Sequence, residues 1–356
     1  MKILMLSSGD RVPSSRFRML PYVKHFREKG HHCIIATSIP QKYDWYKAIG
    51  FRLSQRLKRG IRTLHWHQSR WRQDDVVIID REIFDAPDWE MELKFRETAP
   101  RLVLDLDDGV FLRYPEKFEK LVPIADLVIC GNPFIEEWVK PRNENTIILP
   151  TCVEMAQYPP KPESASSNSA PRIGWIGTTG NLRYFQVAAA GLRKLAQSVN
   201  FELHVIVPEL GPLSEIDLAG IKVVHHPWDK NREVEQLHQL DIGLMPLFET
   251  EVWDKYKCGL KLIQYMAAGI PAVASPVGVN ASIVTPGHDG FLARSDDEWA
   301  ASLEQLISDS ALRRRMGHTA RETAAEKYSI EANFPRYERA LIQIVERQKR
   351  RLESGG

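Results

Sequence analysis

The sequence predicts an α/β protein made of two successive Rossmann-like halves, each organised around a parallel sheet. Three observations carry this reading. Short apolar runs alternate with amphipathic helical stretches from the first residues onward. A stretch rich in Pro and Ser, Tyr158–Pro171, interrupts that alternation near the middle, and the alternation then restarts. A chain of 356 residues is also long enough for two domains that each bury a core.

Ile3–Leu6 reads as a first strand and Ser7–Pro13 as a polar loop. Ser14 or Ser15 then caps a helix to about Lys29, which Gly30 stops. Cys33–Ala36 completes a strand–helix–strand unit, and Val76–Ile79, Leu102–Leu106, Leu127–Cys130 and Thr146–Leu149 add four strands. Asn132 and Pro133 start a helix through Val139. After the linker, Arg172–Ile176 is a strand, Gly177–Gly180 a loop and Leu182–Val199 a helix. Phe201–Val207, Ile221–Val224 and Asp241–Pro246 follow as strands, with Glu233–Leu240 helical. Glu298–Ser308 and Ile330–Arg351 read as long closing helices. The expected division is therefore 1–153, a linker over 154–171, 172–329, and a terminal helix over 330–356. Open parallel sheets bind ligands at the carboxyl ends of their strands, so the expected site is a cleft between the two halves.

Composition narrows the function. The hydrophobic fraction is 43% and the charged fraction 26%, as in globular proteins. Basic and acidic residues number 48 and 46, so no global charge favours nucleic acid. Cys33, Cys130, Cys152 and Cys258 are far apart with no metal-type spacing, which predicts a reducing compartment. No window is apolar enough to span a bilayer and no signal peptide is visible, so the expected location is cytoplasmic.

The richest stretch is Lys257–Ser275, KCGLKLIQYMAAGIPAVAS. Gly259 reads as a turn, Leu260, Ile263 and Ala267 as the apolar face of a helix, Gly269 and Pro271 as its stop, and Pro271–Ser275 as a core strand. The first turn of such a helix presents unpaired N–H groups and a positive dipole end, and Lys257 and Lys261 add charge there. An anionic ligand suits that arrangement. Lys261 and Gln264 project from one face, although a lysine on an amphipathic helix is also an ordinary surface residue. Gly174-Trp-Ile-Gly177-Thr178-Thr-Gly180 lies between strand and helix, where backbone can approach a ligand closely. The first loop lacks GxGxxG, which argues against a nicotinamide-dependent oxidoreductase. Asp105-Leu-Asp107-Asp108 ends a strand and admits a metal, general-base or helix-capping reading. Arg16 and Arg18 suit an anionic acceptor, closure of the cleft on a donor, or structural salt bridges. Arg52–Arg72, basic and carrying two Trp, suits a peripheral contact with an anionic membrane face or a solvated helix.

The text WDKYKCGLKLIQYMAAGIPAVASPVGVN, together with IGWIG at Ile173–Gly177 and PSSRFR at Pro13–Arg18, resembles retaining nucleotide-sugar glycosyltransferases of family four. Within that family it is similar to a bacterial subgroup with a KCGxKLxQYMA signature. The resemblance implies a GT-B fold, a terminal helix crossing back to the first half, and transfer of a sugar from a UDP- or GDP-linked donor to a glycan, lipid-linked or small-molecule acceptor. It further implies retention of anomeric configuration, no metal or other cofactor, and work in bacterial surface-glycan synthesis, at the inner membrane face if lipids carry the acceptor. By the same resemblance Gly177, Thr178, Arg183, Lys257, Gly259, Leu260 and Lys261 face the donor phosphates. Asp107 and Asp108 are expected to face acceptor or sugar. The family's E-x7-E pattern is broken: Gln264 stands where the ribose-binding Glu is usual and Tyr256 where the first Glu is usual. Asp254 is the acid expected to touch the sugar hydroxyls instead. A nucleotide-sugar epimerase and a non-catalytic nucleotide- or glycan-binding scaffold are the rival readings.

Overall fold

A computed structural model describes residues 1–161 and 170–354. Residues 162–169, the centre of the expected linker, lie outside the described residues. The chain divides into two compact units. One is Met1–Cys152 together with the chain from Asn333 onward; the other is Val153–Ala332.

The first unit is built on six parallel strands: β1 (Lys2–Ser7), β2 (His32–Thr37), β3 (Val76–Asp80), β4 (Arg101–Leu106), β5 (Leu127–Cys130) and β6 (Thr146–Ile148). Their order in the sheet is β2-β1-β3-β4-β5-β6. Val76–Ile79 are fully buried, the mark of a strand covered on both faces. The helix Ile330–Ser354 turns Phe334, Tyr337, Leu341 and Ile344, at helical spacing, into this unit. Phe334 and Tyr337 pack edge-on against Phe26 at 5.0 and 5.3 Å, and His31 bonds Glu338 at 2.8 Å.

Several local expectations are corrected here. Ser14 and Ser15 do not cap the first helix: it begins at Pro13, and both hydroxyls donate to buried Asp80 at the end of β3. That helix also breaks at Met19, and a second runs Leu20–Glu28, because Pro21 has no N–H to continue the ladder. Arg52–Arg72 lies within one helix, Gly50–Arg72, which runs unbroken through Gly60. Its basic character is not wholly turned outward. Lys58 and Arg62 are buried: Lys58 Nζ donates to the Lys42 carbonyl at 2.7 Å, and Arg62 donates to the Ala36 and Ser7 carbonyls at 2.7 and 2.6 Å. Strand ends leave carbonyls that need donors, and a guanidinium supplies two at once.

The second unit repeats the plan with β7 (Arg172–Ile176), β8 (Glu202–Val207), β9 (Lys222–Pro227), β10 (Ile242–Met245), β11 (Ala272–Ala274) and β12 (Gly290–Leu292). All pairings are parallel, in the order β12-β11-β10-β7-β8-β9. The start of the expected linker belongs to this unit rather than to solvent. Tyr158 is buried, and Lys161 Nζ donates to the Leu240 carbonyl at 2.7 Å and to Asp241 at 2.6 Å. The helix expected over Leu182–Val199 opens as a 3-10 turn, Thr179–Tyr184, before Phe185–Ala196. A helix absent from the sequence reading, Ser310–Lys327, buries only Met316, Gly317, Ala320 and Ala324 among its residues. So small an apolar stripe gives little periodic signal. Among the described residues no helix is long and apolar enough to cross a membrane.

Candidate functional site

In a doubly wound sheet the ligand crevice forms where consecutive strands depart in opposite directions. In the second unit β8 and β9 run to one side of β7, and β10 lies on the other. The crevice therefore opens at the carboxyl ends of β7 and β10, and Gly177 and Thr178 directly follow β7.

Trp175 is buried on β7 in the hydrophobic core of this unit. A Cβ on Gly177 would lie 2.3 Å from the Trp175 ring, so only glycine lets the backbone pass there. Lys261 Nζ sits 5.3 Å over the same ring. Lys261 is in the first turn of the helix Leu260–Ala267, which Gly259 precedes with φ +64°. That left-handed conformation disfavours any side chain, and a Cβ would also meet Ile283 Cδ1 at 2.2 Å. The turn aims the first N–H groups of the helix, starting at Leu260, in the direction of its positive dipole end.

A second cluster forms around Tyr184. Its hydroxyl donates to Asp254 Oδ1 at 2.5 Å, Arg183 lies 4.9 Å over its ring, and Lys257 Nζ is 4.6 Å from the ring centre. Burial, then donation to Asp254, pushes the Tyr184 phenol upward from its ordinary value. Arg183 makes a two-pronged pair with Glu251 and also covers Phe248 at 5.3 Å. Thr178 is exposed at the head of the 3-10 turn.

The role expected for Asp254 is corrected. Its side chain is fully buried, with Oδ1 on Tyr184, Oδ2 accepting from the Phe248 N–H at 3.0 Å, and Lys257 Nζ 3.6 Å away. It lies in a short helix, Val252–Lys255, and fastens three segments together rather than facing a sugar. Gln264 is also buried. Its Nε2 donates to Glu233 at 2.8 Å and to the Tyr158 hydroxyl at 3.3 Å. Glu233 in turn accepts from the Trp228 indole at 2.8 Å. Glu233 is the acid that the sequence reading missed. It sits thirty-one residues before Gln264, and its meeting with position 264 is tertiary and leaves no local signal.

The first unit holds the remaining candidates. Arg18 is corrected from a candidate acceptor contact to an internal brace: it is buried, donating to Asp105 at 2.8 and 2.6 Å and to the Leu149 carbonyl at 3.0 Å. Asp107 and Asp108 do not act as a free pair of acids. Both clasp Arg81, which follows β3 with φ +59°. All three acids of the Asp105–Asp108 cluster are thus matched to arginines. Burial nevertheless pushes the Asp105 carboxyl up to about 7, against the pull of Arg18. Arg16 is half-buried and stacks on Phe17 at 4.8 Å.

Residues 170–309 match the model of the family described as glycosyl transferases group 1. A curated relative, N-acetyl-alpha-D-glucosaminyl L-malate synthase of Bacillus anthracis, is 30% identical over 98 residues, covering 27% of this chain and 26% of that protein. The match thus spans about a quarter of that relative. Sucrose-phosphate synthase from Thermosynechococcus elongatus superimposes with a TM-score of 0.68, at 14% identity and full coverage of both chains. The Anabaena protein HepE, in complex with UDP and glucose, gives 0.62 at 14% identity, covering 99% of this chain and all of that one. At that identity the structural likenesses bear on the fold alone. The chain therefore has the GT-B glycosyltransferase fold, and its second unit carries the sequence pattern of glycosyl transferases group 1.

Proposed function

We propose that the chain is a glycosyltransferase that moves a sugar from a UDP- or GDP-linked donor to an acceptor hydroxyl with retention of configuration. The observation that carries the reading is the turn at Gly259. It opens a helix whose N–H groups, with Lys261 and Lys257, form a positive end at the crevice of the second sheet. Such an end suits a diphosphate. When the bond from the sugar's anomeric carbon to the leaving phosphate oxygen breaks, negative charge grows on that oxygen. Preorganised positive groups lower the barrier at that moment. The acceptor oxygen bonds to the same carbon on the same face, and its proton passes to the departing phosphate, so no protein nucleophile is required.

In this reading Asp254 positions Phe248, Tyr184 and Lys257, and Glu233 with Gln264 holds Trp228 beside the nucleoside. Arg183 exchanges its Glu251 partner for phosphate. The bacterial surface-glycan setting rests on the sequence resemblance. The test is nucleotide release from UDP- and GDP-sugars with and without acceptor, alongside thermal shifts with the free diphosphates. Lys261→Ala should cut turnover by about 10²–10³, as loss of one charge-stabilising donor does elsewhere. Failure of every nucleoside diphosphate to raise the melting temperature would overturn the reading.

A further inference from the structure

The first unit leaves large hydrophobic side chains in water mainly along one stretch. Among the described residues twelve are exposed, and nine of these fall between Tyr43 and Trp71, in the loop after β2 and the helix Gly50–Arg72. Single exposed apolar residues are ordinary, whereas such a concentration marks a surface that meets something other than water. The helix is turned the opposite way from one that covers a core. Ser54, Lys58, Arg62 and Ser69 are buried, while Leu53, Leu57, Leu64 and Trp71 keep 51%, 40%, 54% and 87% of their surface exposed. Its inward polar face is fastened. Lys58 reaches the Lys42 and Asp44 carbonyls at 2.7 and 3.1 Å, Arg62 holds the Ala36 and Ser7 carbonyls, and Ser54 Oγ accepts from the Tyr46 N–H at 2.9 Å. Rolling the leucines inward would break these bonds and leave buried carbonyls unmatched.

At about 100° and 1.5 Å per residue, Leu53, Leu57, Leu64 and Trp71 fall within an arc of roughly 40° and form a stripe roughly 27 Å long. Arg52, Arg56 and Arg70 lie together on one flank of it. All three are exposed, and none has a carboxylate partner among the described residues. The carboxylates closest along the chain are taken: Asp44 pairs with Arg11 at 2.5 Å and Asp88 with Arg59 at 2.8 Å. The helix itself contains no acidic residue. Tyr43, Trp45 and Tyr46, all exposed, precede the stripe in the chain and Trp71 ends it, so amphipathic rings bracket the leucines.

We infer that this face of the helix lies on an anionic lipid bilayer, with the leucines and Trp71 entering the boundary between headgroups and acyl chains and the three arginines meeting lipid phosphates. An apolar stripe with a basic flank and no acid matches that boundary. Indole and phenol rings settle there because one end of each is apolar and the other polar. A second copy of the chain would also cover the leucines. It would, however, set Arg52, Arg56 and Arg70 close to the same charges across the interface, with no acid of the helix to offset them. An anionic bilayer complements both the stripe and its flank. The contact is peripheral, since no described helix is long and apolar enough to cross a membrane. It stands apart from the sugar-transfer chemistry, so binding rather than turnover reads it.

The experiment is co-sedimentation of the intact chain with phosphatidylcholine vesicles, with and without phosphatidylglycerol. The variants are Leu57→Glu/Leu64→Glu, Arg52→Ala/Arg56→Ala/Arg70→Ala and, on an exposed leucine elsewhere, the control Leu112→Glu. The expected result is binding to the phosphatidylglycerol vesicles that weakens with added salt. Partitioning should fall about a hundredfold in the arginine variant, as three basic residues at an anionic surface predict. It should fall about tenfold or more in the leucine variant and stay unchanged in the control. Binding to neither vesicle, or equal binding to both, overturns the inference. So does a dimer in sedimentation velocity that the leucine variant dissolves, without vesicle binding. None of the replaced side chains is buried, and matching melting temperatures check that the variants fold. Should the leucine variant not fold, the arginine variant decides, and its undiminished binding overturns the inference.

Discussion

Asp254 offers the sharpest test of how the second unit works, through the replacement Asp254→Asn. The carboxylate is fully buried, and each oxygen has its own donor: the Tyr184 hydroxyl at 2.5 Å and the Phe248 N–H at 3.0 Å. An amide has one acceptor oxygen. If it keeps Phe248, its NH₂ faces Tyr184, whose hydroxyl proton then needs another acceptor. If it keeps Tyr184, two donors confront each other at Phe248. Either way one hydrogen bond to a charged group is lost, worth about 1.5–3 kcal/mol, and the Lys257 ammonium 3.6 Å away loses its counter-charge. The sum is about 2–4 kcal/mol. For a body of this size each kcal/mol moves the midpoint by roughly 2–4 °C, so the melting temperature should fall by about 4–16 °C. Nucleotide affinity should fall with it, because Lys257 is released. Tyr184→Phe should couple to Asp254→Asn in a double-mutant cycle by about 0.5–3 kcal/mol. The reasoning is refuted if Asp254→Asn melts within about 1 °C of the wild type while turnover drops a hundredfold or more. That outcome would put Asp254 on the substrate.

Two further expectations follow from the same physics. Gly259→Ala should cost about 1–2 kcal/mol for its left-handed backbone and about 1–3 kcal/mol for overpacking against Ile283. The pair Gly259→Ala/Ile283→Val should recover only the packing part; a double variant no more stable than the single one, in urea unfolding, refutes the assignment. In the first unit the Asp105 carboxyl is raised in the folded state from 3.8 to about 7, chiefly by burial. The folded state therefore holds the proton more tightly than the unfolded one. Its contribution is fully present below about pH 4 and is lost as pH rises through about 7, by about 1.4 kcal/mol per unit and up to about 4 kcal/mol. Asp105→Asn should flatten the wild-type decline in urea midpoint between those pH values, and an unchanged slope would count against it.

The sequence by itself determined the layered plan. Among the described residues twelve strands alternate with helices, and eleven of them were legible because runs such as Val76–Ile79 and Leu127–Cys130 are apolar enough to be buried on both faces. The turn at Gly259 was legible for a similar reason: the glycine, Lys261 in the first turn and the Gly-Pro stop are all local. β12, only three residues long, and the helix Ser310–Lys327, with its stripe of small residues, left too weak a pattern to read. Tertiary structure alone decided which polar side chains are free to meet a ligand. Asp254, Gln264, Arg18, Asp107 and Asp108 all looked available in sequence. The fold gives each a partner distant along the chain: Tyr184, Glu233, Asp105 and, for the last two, Arg81. A buried charge must be paired, and which partner reaches it depends on how strands are ordered rather than on spacing along the chain. The fold likewise turns the polar face of Gly50–Arg72 inward, because Lys58 and Arg62 satisfy strand and loop carbonyls there, and leaves Leu53, Leu57, Leu64 and Trp71 outside, which periodicity alone does not mark.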